Sequence, residues 1–263
     1  MNAASKKAIL IVSFGTSYEN TRKRTIDAIE RDIADAFPVC PAYRAWTSKM
    51  IIAKLKKRDG IIIHTVKEAM EQMLLDGITD VIVQPTHVIN GIENDQMKAD
   101  ALSFRDRFSS IVFGNPLLTT EEDNQAVVQA VAGEFQDMDQ ETALVLMGHG
   151  TEHYANSVYA ALDYRFKDMG HKNIFLGTVE AYPALDSLLR AADSFQPKKI
   201  VLAPFMIVAG DHARNDLAGA EADSWDSILK ADGFETEVIM KGLGEIDAIA
   251  EMFVKHLKKA ESL

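Results

Sequence analysis

The feature that most constrains the fold is a strand-end pattern that occurs twice in the chain. Residues 11–16 of the first copy match residues 146–151 of the second, and residues 84–93 match residues 203–212 further along. Self-similar segments that recur in the same order indicate a repeated supersecondary unit, so we expect two similar halves that face each other across a cleft. The second copy places a histidine, His149, at a position where the first copy has none, so we expect the second half to bring imidazoles to this cleft.

Short apolar runs alternate with amphipathic segments along the chain. The runs predict eight strands, at residues 8–14, 42–46, 80–84, 111–114, 143–147, 174–178, 199–204 and 236–240. Apolar residues at helical spacing predict helices, among them residues 21–36, 66–75, 186–192 and 246–257. This alternation is typical of parallel sheets covered by helices on both faces. We therefore predict an α/β protein with two similar Rossmann-like domains, residues 1–120 and 121–263, each with a mainly parallel four-stranded sheet and the second with the metal-binding residues.

The composition excludes several classes of protein. Lys and Arg total 28 against 39 Asp and Glu, and this net charge of −11 argues against nucleic-acid and membrane-surface binders, which need a positive field. The single cysteine, Cys40, excludes an internal disulfide and a thiolate metal cluster. No apolar stretch approaches the length of a membrane span, and the run at residues 8–12 is too short for a signal peptide. We expect a cytoplasmic protein; whether it is a homo-oligomer is left open.

Three side chains with metal-binding chemistry follow consecutive predicted strands of the second half. They are His149, which lies between two glycines, then Glu180 and His212. Because ligands of parallel sheets bind beyond the carboxyl ends of the strands, we expect the three to share one site. Two imidazoles and a carboxylate suit Co²⁺, Fe²⁺, Ni²⁺ or Zn²⁺ better than Mg²⁺ or Ca²⁺, and their separation in the chain indicates an open site. Asp211, beside the second histidine, is a candidate to orient its ring.

Each of the three also has a structural interpretation. If the two glycines form a phosphate-binding turn, His149 has no role of its own. In the structural interpretation Glu180 caps a helix or pairs with a lysine, and His212 hydrogen-bonds to the first turn of a helix. His153 is a second candidate ligand. His87, in an apolar setting, is interpreted as a satisfied core histidine.

Polar residues of the first half are candidates to hold a substrate. Arg44 and Lys49 belong to the only basic concentration of the chain and lie near a predicted strand end, where they can bind carboxylates. Glu93 matches the position of the second histidine and can complete the site, although a solvated residue of a first helical turn explains it equally well. Ser13 and Thr16 of the first strand-end loop complete the predicted substrate-binding set.

Other patterns narrow the chemistry further. Trp46 and Met50 are candidates to pack on a flat ring. No glycine-rich dinucleotide fingerprint and no Walker pattern occurs, so no nucleotide cofactor is expected. Ser13 and Ser17 lack the Gly-x-Ser-x-Gly turn of a serine hydrolase.

In its motifs the chain resembles the anaerobic sirohydrochlorin cobaltochelatases of the CbiK type, in the class II chelatase superfamily that includes ferrochelatase. The matching motifs are residues 13–17, 44–48, 50–52, 89–91, 147–150, 179–183, 208–216, 223–225 and 242–245. These motifs are distributed over nearly the whole chain, and their combination is specific for this family.

The resemblance implies two similar α/β domains with an active cleft between them. It implies ATP-independent insertion of Co²⁺ into sirohydrochlorin or its precursor precorrin-2, in the anaerobic route to cobalamin. The family's metal-binding and catalytic histidine pair carries over to His149 and His212, and its glutamate to Glu180. Two positions depart from the family pattern: Trp46 replaces a Phe, and Ile92 stands where an acidic residue occurs.

The chemistry of the residues agrees with this resemblance and leaves two alternatives. Metal insertion releases two pyrrole protons, and a neutral imidazole can bind the ion or accept a proton. Because the same ligands accept Fe²⁺, a ferrochelatase that makes sirohaem or haem is the nearest alternative. A non-catalytic tetrapyrrole or metal carrier is the alternative from another class, and turnover beyond one product per chain separates it from an enzyme.

Overall fold

The computed structural model describes residues 6–139, 141–192 and 194–261. These residues form two compact units, one of residues 6–119 with 247–261 and one of the described residues between 120 and 246. Over the same described ranges, none of the helices combines the length and the apolar character that crossing a membrane requires.

Each unit contains a four-stranded sheet in which every pairing is parallel. The strands are β1 (Lys7–Ser13), β2 (Ala42–Trp46), β3 (Asp80–Pro85), β4 (Ser110–Phe113), β5 (Thr142–Gly148), β6 (Ile174–Thr178), β7 (Lys199–Pro204) and β8 (Glu235–Val238). Their order is β2-β1-β3-β4 in the first sheet and β6-β5-β7-β8 in the second. The predicted fold class is confirmed, and the predicted strands differ from those observed only by one or two residues at their ends. The central strands are buried along almost their whole length, which is why they read as continuous apolar runs.

Helices lie between consecutive strands, as the crossover connections of parallel strands require. They are α1 (Glu19–Arg24), α2 (Ile26–Ala36), α3 (Lys49–Asp59), α4 (Val66–Leu75), α5 (Ile92–Leu102), α6 (Glu121–Glu134), α7 (Ser157–Asp168), α8 (Leu185–Ala192), α9 (Trp225–Ala231) and α10 (Asp247–Glu261). The single helix predicted at residues 21–36 is divided at Thr25, whose hydroxyl donates to the carbonyl oxygen of Thr21 at 2.7 Å. A side chain that bonds back to the backbone in this way competes with regular helix geometry.

The described contacts differ from the predicted domain division at the last helix. The sequence assigned residues 121–263 to the second domain, but α10 packs against α2, β3 and β4 of the first unit. Its apolar face is buried there, and the imidazole Nδ1 of His256 lies 3.0 Å from the carbonyl oxygen of Asn115. Helical periodicity identifies an apolar face but carries no information on which sheet covers it, so a division by chain order misses this exchange.

The repeat seen in the sequence is present in the backbone of both units. Gly15 and Gly150, which follow β1 and β5, both have positive φ, at 104° and 87°. The backbone N–H of Ser48 donates to the carbonyl oxygen of Phe14 at 3.2 Å, and the N–H of Glu180 donates to that of His149 at 2.9 Å. The two units therefore build the same loop at the carboxyl end of the central strand and place different side chains on it.

Candidate metal centre

The second unit brings His149, Glu180 and His212 together at the carboxyl end of its sheet. His149 comes directly after β5, Glu180 follows β6, and His212 lies beyond β7. One potential ligand atom from each lies within 4.8 Å of the others. Because β5 is flanked by β6 and β7, the three loops that leave the sheet at this end are neighbours. A shared site for these three side chains is thus a consequence of strand order.

The loop that carries His149 is held by a glycine that no other residue can replace without strain. Gly150 has φ +87°, a region that side chains with a Cβ seldom adopt. A Cβ at Gly150 would lie 2.8 Å from the backbone nitrogen of Ala181, in the loop that carries Glu180. The two loops pack so closely that the glutamate is placed by backbone contact with the histidine loop.

The two imidazoles meet edge to face. Their Nε2 atoms lie 3.1 Å apart, the ring centroids are 4.5 Å apart and the ring planes are inclined by 83°. Carboxylate oxygens of Glu180 lie 3.6 Å from Nδ1 of His149 and 3.9 Å from Nε2 of His212. Both imidazole side chains are 39% exposed, so an ion can reach them from solvent.

The hydrogen-bond partner of Nδ1 in each ring indicates which ring nitrogen carries the proton. Nδ1 of His149 lies 2.8 Å from the carbonyl oxygen of Gly150, and Nδ1 of His212 lies 2.8 Å from a carboxylate oxygen of Asp216. Both partners only accept hydrogen bonds, so both Nδ1 atoms carry the proton and both neutral rings present a lone pair at Nε2. We assign these tautomers from the hydrogen-bond partners.

In these tautomers the two Nε2 atoms, 3.1 Å apart, cannot hydrogen-bond to each other. A metal ion between them can accept both lone pairs, and the nearby carboxylate of Glu180 suits its positive charge. Imidazole nitrogens bind a transition metal at about 2.0–2.1 Å, and at that distance a 3.1 Å separation gives an angle of about 95–102° at the ion. The arrangement is that of an open cation site with borderline ligands.

The ring of His212 is oriented by a residue outside the predicted set. The adjacent Asp211 is the predicted partner, but the carboxylate bonded to Nδ1 belongs to Asp216, four residues after the histidine. Residues 213–217 form a π-helical turn, in which the N–H of Ala218 donates to the carbonyl oxygen of Ala213. The i, i+4 spacing of Asp216 from His212, a residue interpreted as lying at a helix start, is the signal that was available in the sequence.

Two other histidines, His153 and His87, lie outside the cluster of His149, Glu180 and His212. His153 uses Nδ1 to accept the backbone N–H of Ala155 at 3.2 Å, and its ring packs on Tyr154. His87 is buried, as predicted, but is not satisfied: neither ring nitrogen has a hydrogen-bond partner among the described residues. Burial lowers the pKa of His87 to about 4.

Arg44, a predicted substrate contact, is engaged by carboxylates of its own unit. It lies in β2, paired in register with Ile11. Its guanidinium forms ion pairs with Asp27 and Glu30 of α2, and Nε lies 2.8 and 2.9 Å from the two oxygens of Glu30. These contacts tie β2 to α2, so we leave Arg44 out of the proposed substrate contacts.

Ser13 and Thr16 are also buried, at 1% and 2% exposure, which argues against the predicted substrate contact. The hydroxyl of Ser13 accepts a hydrogen bond from Thr86 at 2.8 Å, and that of Thr16 accepts from the N–H of Tyr18 at 3.3 Å. Trp46, a candidate to pack on a flat ring, is fully buried and lies against Gly15. Small hydroxyls and an indole at this strand end build the loop itself.

The exposed residues at this end of the first sheet are different ones. Lys49 and Glu93 stand exposed in the first turns of α3 and α5, as a role in substrate binding requires. Phe14, Met50 and Ile92 follow β1, β2 and β3 and are 43%, 78% and 52% exposed. Large apolar side chains exposed after the strands of a parallel sheet are typical of a ligand-binding surface.

Comparisons with known proteins agree with this geometry. Residues 7–262 match the family model described as cobalt chelatase (CbiK). The chain is 40% identical over 255 residues to the sirohydrochlorin cobaltochelatase of Salmonella typhimurium, covering 97% of this chain and 96% of that protein. It is 29% identical over 265 residues to the sirohydrochlorin cobaltochelatase CbiKC of Nitratidesulfovibrio vulgaris, covering 98% and 92%.

Solved structures show a shared fold at much lower identity. The sirohydrochlorin chelatase SirB from Bacillus subtilis subspecies spizizenii, in complex with cobalt, superposes with a TM-score of 0.66 at 16% identity, covering 98% of this chain and 96% of that one. The family match extends over both units and includes all three residues of the candidate metal centre. The chain therefore belongs to the CbiK family of cobalt chelatases.

Proposed function

We propose that this protein is a sirohydrochlorin cobaltochelatase, which inserts Co²⁺ into sirohydrochlorin or precorrin-2 without ATP in the anaerobic route to cobalamin. The observation that carries the proposal is the approach of the two imidazole Nε2 atoms to 3.1 Å, beside Glu180, in a chain of the cobalt chelatase family. Co²⁺ is the substrate metal, which these borderline ligands bind and can also release.

The imidazole pair matches the proton balance of the reaction. Insertion breaks two pyrrole N–H bonds, forms the bonds from the macrocycle nitrogens to Co²⁺, and releases two protons. Each of His149 and His212 has one available atom, Nε2, because Nδ1 is already protonated. An Nε2 that gives up the ion is free to accept a proton, so the atoms that deliver Co²⁺ can receive the two protons. Glu180 balances the charge of the ion or of the protonated rings.

The first unit supplies contacts to the macrocycle in this proposal. Phe14, Met50 and Ile92 are the exposed apolar side chains at the carboxyl end of its sheet and suit the flat face of a tetrapyrrole. Lys49 suits a substrate carboxylate. Glu93, also exposed, occupies the position that His212 has in the second unit and is a further candidate contact to the substrate.

The deciding experiment is a multiple-turnover insertion assay with sirohydrochlorin and Co²⁺, Fe²⁺ or Ni²⁺ in parallel reactions. Product is followed by the change in macrocycle absorbance, and the uncatalysed rate is measured without protein. The proposal expects many turnovers per chain and the largest kcat/KM with Co²⁺. A preference for Fe²⁺ indicates a ferrochelatase instead, and product limited to one macrocycle per chain indicates a carrier.

Two variants test the division of work between the proposed residues. His149→Ala should lower cobalt insertion at least 100-fold and leave tetrapyrrole binding, measured by fluorescence quenching, nearly unchanged. Lys49→Ala should weaken tetrapyrrole binding roughly 3- to 30-fold, because one exposed charge-assisted contact is lost, and leave Co²⁺ affinity unchanged. Arg44→Lys, which keeps the charge of a residue outside the proposed contacts, is the matched control. The opposite pattern for His149 and Lys49 contradicts the assignment.

Two expectations from the sequence stay predictions. One is that no nucleotide takes part, which the same assay checks when it is run with and without ATP. The other is a cytoplasmic location, which fractionation of the native cells checks.

A further inference from the structure

The hydrogen bond between Asp216 and His212 has a consequence for the state of the metal centre before an ion binds. A carboxylate oxygen of Asp216 lies 2.8 Å from Nδ1 of His212, while Nε2 of the same ring lies 3.1 Å from Nε2 of His149. The ring of His212 therefore has an acceptor on one side and another imidazole on the other. Its tautomer decides which of the two it bonds.

Two arrangements compete for this ring. If His212 carries its proton on Nε2, it donates to the lone pair of His149, and the two histidines satisfy each other. That pair has no lone pair left for an ion at its centre. If the proton is on Nδ1, the ring donates to Asp216, and both Nε2 lone pairs stay directed at the ion site. The metal centre is open only in the second arrangement.

We infer that Asp216 is a positioning residue that holds His212 in the Nδ1-protonated tautomer and so keeps the histidine pair from closing on itself. The inference rests on the proposed role of the two histidines as ligands of the substrate metal. A carboxylate accepts a hydrogen bond more strongly than a neutral imidazole does, so it wins the competition for the single proton. Partners of this kind orient metal-binding histidines in many sites.

The backbone around Asp216 is built to hold it there. The π-helical turn of residues 213–217 begins directly after His212 and contains Asp216. The turn closes with the N–H of Gly219 on the carbonyl oxygen of Asn215 at 3.1 Å, and a Cβ at Gly219 would lie 2.1 Å from that oxygen. The Asp216 side chain is 41% exposed, so its removal opens no cavity in the core.

The test uses the full chain with Asp216→Ala, the isosteric Asp216→Asn and the conservative Asp216→Glu. Asp186→Asn is the matched control, since it removes one carboxylate from another exposed i, i+4 pair of the same unit, whose partner is Arg190. The first readout is ¹⁵N NMR of the imidazoles in metal-free protein at alkaline pH. We expect the Nδ1-protonated form of His212 in wild type, Asp216→Glu and the control, and mainly the Nε2-protonated form in Asp216→Ala.

The second readout is Co²⁺ affinity by titration calorimetry, with no tetrapyrrole present. We expect Asp216→Ala to bind Co²⁺ about 10- to 100-fold more weakly, Asp216→Asn to fall between it and wild type, and Asp216→Glu to recover most of the affinity. Thermal unfolding of each variant within a few degrees of wild type shows that the effect is not loss of the fold. An unchanged tautomer or an unchanged affinity in Asp216→Ala overturns the inference.

Both readouts are independent of insertion, so the two proposals fail separately. If wild type inserts no cobalt but the tautomer and affinity change as described, the proposed function is wrong and the positioning role stands. If insertion is confirmed and Asp216→Ala changes neither quantity, the positioning role is wrong and the function stands.

Discussion

His87 shows at the scale of one residue how burial sets a pH dependence. Its ring is 8% exposed, neither nitrogen has a partner among the described residues, and burial lowers its pKa to about 4 from the ordinary 6.5. The folded chain keeps this ring neutral, whereas the unfolded chain protonates it as pH falls through 6.5. Between these pH values the unfolded state binds more protons than the folded state. The free energy of unfolding is therefore unaffected by His87 above pH 6.5 and decreases as the pH falls toward 4, by about 3 kcal/mol for this group.

The variant that isolates this effect is His87→Met, which places the residue of the matching position in the second unit, Met206. Urea unfolding at a series of pH values should show a smaller loss of stability between pH 6.5 and pH 4 in the variant than in wild type. At neutral pH the variant should be as stable or more stable by about 1 kcal/mol, because an unpaired buried polar ring is removed. A pH dependence equal to that of wild type contradicts the assignment to His87.

At the scale of the element, the loop after β5 can be tested through Gly150. In Gly150→Ala, the φ of +87° should cost about 1–3 kcal/mol of the free energy of unfolding through backbone strain. The close contact of the new Cβ with the Ala181 nitrogen should lower this free energy further. Displacement of this loop should also weaken Co²⁺ binding at least tenfold, since it moves His149 and Glu180 apart. Chemical denaturation and calorimetric titration measure the two effects.

Gly170 provides the control for backbone strain alone. It has φ +94°, but a Cβ there would meet nothing within 4 Å. Gly170→Ala should cost about 1–3 kcal/mol from the backbone conformation and leave Co²⁺ affinity at the wild-type value. If both alanine variants bind Co²⁺ equally well, contact between the two loops is not what places the site.

At the scale of the whole molecule, α10 belongs to the unit that begins the chain. Phe253 is fully buried on this helix, and the helix packs on α2, β3 and β4. Phe253→Ala should destabilise the protein by about 3–5 kcal/mol. Hydrogen exchange should show the loss of protection in β3 and β4 although the substitution is near the end of the chain.

Phe166, equally buried on α7 of the second unit, is the matched variant. Phe166→Ala should reduce protection in β5 and β6, because α7 packs on β6 and β6 pairs with β5. If Phe253→Ala instead lowers protection mainly in β5 to β8, the assignment of α10 to the first unit is wrong.

The sequence by itself determined the features that depend on local pattern. The central parallel strands are buried and read as continuous apolar runs, and all eight strands were found with small errors at their ends. The position of His149, Glu180 and His212 after consecutive predicted strands placed them at one edge, because the residue after each parallel strand emerges at the same end of the sheet. Exposed positions in the first turns of helices, such as Lys49 and Glu93, followed from the same rule.

Only the tertiary structure decided which side chains are engaged by neighbours that are distant in the chain. Arg44 is bound by carboxylates of α2, Trp46 is buried against a loop, and α10 crosses to the first unit. The choice of Asp216 over Asp211 depends on the path of a π-helical turn. A pattern in the sequence shows that a group is polar or apolar, but its partner is set by packing between elements, and packing exists only once the chain has folded.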